Sequence, residues 1–170
     1  ISAAQVLPKL LNGATTCPPP EEAERVWVRT IKKVLCCYRT DSNAKVKEFV
    51  GSRDLSELVR SRMIRFILKL ASSERYPDLR ELFLCVMADT SIGWTSTSWV
   101  AWAWRELESA VEDRELLSLP YDGQVGDTLR QKLLYLLSSP TACRKALEDF
   151  NKTYKRRRPL CHPAMRHCPE

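Results

Sequence analysis

Glycine is scarce in this chain of 170 residues, which has five glycines and ten prolines. So little glycine excludes a loop-rich or low-complexity protein. It also leaves no glycine-rich phosphate loop, and neither a nucleophile elbow nor a paired-histidine metalloprotease helix is present. Histidine is scarcer still: His162 and His167 both lie near the C-terminus, beyond the last expected helix, so no histidine base is available to a core cleft. Glu106, Glu108, Glu112 and Asp113 are candidate acid-base groups, but their place at the polar end of a helix reads as a solvated face. A catalytic protein is therefore not expected. No apolar run reaches the roughly 18 residues of a membrane span, no signal peptide is visible, and no repeat recurs at a fixed period. A start at Ile1 is what a processed product or an excised fragment shows, so a lost targeting segment stays open.

Seven cysteines (17, 36, 37, 85, 143, 161 and 168) are an odd number without the spacing of a disulfide scaffold. Cys37, Cys85 and Cys143 fall within helix-like patterns and read as small buried hydrophobes. An intracellular, reduced protein is expected on this ground.

What the chain does have is tryptophan in one place. Trp94, Trp99, Trp102 and Trp104 are four of its five tryptophans, in a segment whose apolar side chains point all round a helix. Such a helix is normally buried on every side. Residues 95–112 are expected to form the central helix of an all-α, single-domain bundle of six or seven helices, with HEAT-like stacked helix pairs as the alternative. The organisation read from composition is an N-terminal arm and Pro-rich linker over 1–20, a helical domain over 21–158, and a basic tail containing Cys and His over 159–170.

The other helices follow from spacing and punctuation. Residues 3–12 suggest a short helix interrupted at Pro8, and Pro18 to Pro20 hold the next stretch extended. A helix over 21–39 then carries Trp27, Ile31, Val34, Leu35 and Tyr38, with Glu21, Glu22 and Glu24 where the dipole favours acids. Asp41 or Ser42 can cap a short helix that stops at Gly51. Asp54 opens an amphipathic helix with Leu55, Leu58, Val59, Met63, Phe66, Ile67 and Leu70 on one face. Pro77 starts another, with Leu79, Leu82, Phe83, Val86 and Met87, ending near 89–93. Asp127 or Thr128 can cap a leucine helix, and Ser139 before Pro140 marks the start of the last, which Pro159 closes. No segment shows a period of two, so no sheet is expected.

The formal net charge of +6 is concentrated at one end. Residues 151–170 hold Lys152, Lys155, Arg156, Arg157, Arg158 and Arg166 against Glu170 alone and so supply +5 of it. Clustered cations attract phosphates and release counterions, so Lys152, Lys155, Arg156, Arg157 and Arg158 are the candidate nucleic-acid clamp. The same run fits a nuclear localisation signal, or a solvated helix end whose cations complement the dipole. Beyond it, Cys161, His162, His167 and Cys168 are four zinc-type ligands within eight residues. Adjacent side chains diverge, so one metal would need Cys143 or a partner chain to complete it. A Cys161 to Cys168 disulfide and an unstructured tail are the competing readings, and no cofactor is otherwise expected.

Asp89, Ile92 and Trp94 are spaced as in the first homology motif of the Bcl-2 family, and residues 81–105 resemble that motif leading into a buried central helix. Thr95 and Ser96 stand where the motif has glycine and arginine, and the family's later Gly-Gly-Trp is missing. The resemblance implies groove binding of a partner helix. Taken together, these readings lead to a non-catalytic protein-interaction or adaptor module with Trp94, Trp99, Arg60 and Arg65 as candidate partner contacts. The alternative is a nucleic-acid-associated protein that grips phosphates through its basic segment.

Overall fold

A computed structural model describes residues 21–50, 54–89, 98–112, 117, 119 and 128–156. Among these there are seven helices and no strand: α1 (Glu21–Val34), α2 (Asn43–Val50), α3 (Leu55–Ala71), α4 (Pro77–Ala88), α5 (Trp99–Glu112), α6 (Leu129–Ser138) and α7 (Pro140–Arg156). The expected all-α fold is what forms. The chain divides into two compact units, residues 21–62 and 63–156 among those described, with the boundary inside α3. The expected helix over 3–12 and the proline linker lie outside the described residues.

In the first unit, α1 buries Ala23, Trp27, Val28 and Ile31, and packs against α2, which contributes Val46. The first turns of α3 add Leu55 and Val59. A three-residue ion network joins these helices: Lys47 on α2 pairs with Glu24 of α1 and with Asp54, just before α3. The second Glu24 oxygen accepts the Leu55 backbone N–H at 2.8 Å, placing negative charge at the α3 N-terminus, where the dipole favours it.

Helix α1 stops at Val34, earlier than its apolar spacing predicts. Cys36 takes a left-handed conformation with φ 54°, the Cys36 N–H bonds Lys33 O, and the Cys37 N–H reaches back to Lys32 O. This is the Schellman arrangement that ends helices, built here on cysteine instead of glycine. Tyr38, expected on the buried face, is consequently exposed, and Val34, the last residue of the helix, is exposed as well. The buried Lys32 ammonium folds over this end, donating to the carbonyls of Arg39 and Asp41. Asp41 does not cap the next helix through its carboxylate, which accepts the Tyr38 N–H at 2.8 Å.

In the second unit, α3 buries Met63, Ile64, Ile67, Leu68 and Ala71, so its core face is rotated slightly from the expected one, with Phe66 at its edge. Pro77 is the first residue of α4, where its missing N–H costs nothing, and Phe83 and Met87 are buried. Ser98 starts α5 by accepting the Ala101 N–H at 3.1 Å. This helix then buries Val100, Trp102, Ala103, Trp104, Leu107 and Ala110. Trp99 meets Phe66 of α3 and Phe83 of α4 edge-on, at centroid distances of 6.5 and 6.3 Å. Edge-to-face contacts of this kind suit the ring quadrupoles.

The short helix α6 is fixed by both halves of a capping box between Thr128 and Gln131. Its Leu133, Leu136 and Leu137 are buried, and it packs against α4, α5 and α7. The Ser139 hydroxyl accepts the Ala142 N–H and Pro140 opens α7, which buries Cys143, Ala146 and Phe150. Arg80 on α4 ties two helix ends together: its Nε donates to Ala71 O, at the end of α3, at 2.7 Å, and its Nη2 donates to Ser138 O, at the end of α6. A cation suits both positions, because each helix presents unsatisfied carbonyls and the negative pole of its dipole.

Candidate interaction surface

Helix α4 carries a continuous apolar arc. Its inner side is Phe83 and Met87. Adjoining it on the helix surface, Leu79 and Leu82, 50% and 62% exposed, stand three residues apart and lead to half-buried Val86 at the i+7 position. Spacing of i, i+3 and i+7 lines these three along one stripe. Tyr76, just before the helix, is also exposed, and the Arg75 guanidinium lies 5.3 Å from the centre of its ring. Asp78, Glu81 and Cys85 are exposed, and at 100° per residue they border the stripe on its Leu82 side. The result is an aliphatic strip with an acidic margin.

Leu79 and Leu82 were expected in the core pattern of this helix, and the structure places both at the surface. A helix whose apolar residues form one continuous arc has no period that separates a core face from a partner face. The signal available in sequence was the surplus: Phe83 and Met87 suffice for the inner face, and the leucines add to it.

The residues proposed from sequence are placed as follows. Trp99 is half-buried and engaged with the two phenylalanine rings. Arg65 is also used within its unit: its Nε donates to Asn151 Oδ1 at 2.8 Å, and its guanidinium lies 4.7 Å from the Tyr154 ring centre and 5.8 Å from that of Phe150. Phe150 and Tyr154 are stacked, so the cation sits over an aromatic pair. Arg60 is half-buried on α3. Lys152 is exposed and lies 3.6 Å from Asp149. Lys155 and Arg156 belong to the last turn of α7. Trp94, Arg157, Arg158, Cys161, His162, His167 and Cys168 lie outside the described residues, as do residues 90–97 of the segment that resembles the Bcl-2 motif.

Four cysteines are described and all are free thiols. Cys143 is buried as expected, with its thiol 3.1 Å from Leu136 O. Burial pushes its pKa up to about 11, with nearby Arg80 pulling the other way, so the neutral thiol persists at physiological pH. A protonated, enclosed sulfur is a poor metal ligand. Cys85 departs from expectation in being exposed, and Cys37 is half-buried. Among the described residues, no group of three or more His, Cys, Asp or Glu side chains is placed to hold a metal ion, and no helix is long and apolar enough to cross a membrane. The chain matches no protein family, no curated protein and no solved structure.

Proposed function

We propose that this protein is a non-catalytic helical interaction module that binds a protein partner through the outer strip of α4. The observation that carries the reading is the exposure of Leu79 and Leu82 at the edge of an apolar arc whose adjoining residues, Phe83 and Met87, already supply the core. Exposed leucines at helical spacing are the anchors used when one amphipathic helix lies against another. The acidic margin of Asp78 and Glu81 adds a preference for a partner helix whose apolar face is flanked by Lys or Arg.

Co-purification of the tagged protein with its partner, compared with a Leu79→Lys/Leu82→Lys variant, tests this reading. The variant is expected to melt within about 0.5 kcal/mol of the parent, as surface changes do, and to lose the partner. A partner retained at full yield by the folded variant would reject the α4 strip as the binding surface.

A further inference from the structure

The outer face of α1 carries a row of cations that the fold does not use. Arg25, Arg29 and Lys33 recur at i, i+4 and i+8 and all are exposed. Among the described residues, none of the three takes part in an ion pair. Other cations are engaged: Lys47 with two carboxylates, Lys32 with carbonyls of the α1–α2 connection, Arg80 with helix-end carbonyls, Arg130 with Glu108, and Arg144 with Glu74. Glu24 is turned to Lys47 and Leu55 N; Glu21 and Glu22 precede Arg25 by four and three residues, whereas Arg29 and Lys33 have no acid of α1 within four residues. Like charges four residues apart oppose helix formation. Within the unit that repulsion is offset only at Lys33, whose place in the last turn suits the helix dipole.

We infer that Arg25, Arg29 and Lys33 form a phosphate-binding row for the backbone of single-stranded nucleic acid. At 1.5 Å per residue the row spans about 12 Å, a line of three charges that suits successive phosphates. Two of the three are arginines, whose planar fork grips phosphate oxygens in pairs. Tyr38, 80% exposed and five residues beyond Lys33, offers an aromatic face for stacking an unpaired base. An anionic membrane fits less well, because Trp27, Val28 and Ile31 are buried in the unit and only the two small aliphatic side chains of Val26 and Val34 are exposed on α1 to insert. This site is distinct from the α4 strip and stands or falls independently of it.

The test is fluorescence anisotropy of the full chain with labelled dT20, a 20-bp duplex and phosphatidylserine vesicles, between 50 and 200 mM salt. The comparison is with Arg25→Gln/Arg29→Gln/Lys33→Gln. Three phosphate contacts to a single strand account for about 2 units of the slope of log K against log[salt]. The triple variant is expected to lose that amount while melting at or above the parent temperature. Tyr38→Ala is expected to weaken dT20 binding and leave duplex binding unchanged. If the triple variant melts lower, the single variants replace it, each expected to cut the slope by about 0.7. Unchanged slope and affinity for dT20 would overturn the proposal. So would vesicle binding that disappears in the variant while dT20 binding stays, which would assign the row to a membrane surface.

Discussion

The two compact units mix ionic ties and apolar packing in different proportions. In residues 21–62, the ties between helices include a shared ammonium and two carboxylates, a carboxylate on a helix N-terminus and a lysine folded over a helix end. Residues 63–156 have ion pairs too, Arg130 with Glu108 and Arg144 with Glu74, and the Arg80 bridge, but add a larger set of rings and leucines: Trp99 between Phe66 and Phe83, three leucines of α6, and Phe150 stacked on Tyr154 beneath Arg65. Ion pairs that are partly open to water contribute little each and weaken with salt, whereas apolar burial scales with area and is insensitive to moderate salt. The first unit should therefore respond more to pH and salt, and the second more to cavities.

The largest expected effect lies in the second unit. Phe150→Ala removes a ring that is 1% exposed, and is expected to cost about 3–5 kcal/mol in a denaturant melt. A loss below 1 kcal/mol would mean that the unit collapses around the void and that its packing is not specific. Next comes Arg80→Met, which leaves the Ala71 and Ser138 carbonyls without their charged donor. Two bonds of this type predict a loss of about 2–4 kcal/mol. An unchanged melting point would show that water serves those carbonyls equally well.

In the first unit, Lys47→Met is expected to cost only about 1 kcal/mol, because Asp54 and part of Glu24 face solvent. Burial alone would lower the Lys47 pKa, but the hydrogen bonds and charges of Asp54 and Glu24 together outweigh it and raise the pKa above 10.5. A group whose pKa is raised on folding contributes fully below its unfolded pKa and loses that contribution as pH climbs through the folded one. Alkaline titration should thus show a stability loss that begins above pH 10.5 in the parent and is smaller in Lys47→Met. The smallest effect is a gain: Cys36→Gly relieves the left-handed strain at φ 54° and should stabilise the chain by about 0.5–1 kcal/mol.

Much of the fold was legible because its boundaries are written in side-chain chemistry. Thr128 with Gln131, Ser139 before Pro140, and Pro77 each satisfy or avoid orphan N–H groups in a way that residue identity alone reveals. The end of α1 was not legible, since cysteine carries no signal for a left-handed turn and the apolar spacing runs on through Tyr38. The site was harder still. Arg65 reads as a surface cation until folding brings Asn151, 86 residues away, into reach of its guanidinium. Leu79 and Leu82 read as core for the opposite reason: hydropathy does not record which part of an apolar arc finds a neighbour.

Residue-resolved amide hydrogen exchange at 0.05 and 1 M NaCl tests the contrast between the units most directly. The account predicts that high salt weakens protection over α1, α2 and the first turn of α3, and leaves α6 and the buried part of α7 as protected as before. Equal loss of protection in both regions, or loss confined to α6 and α7, would contradict it.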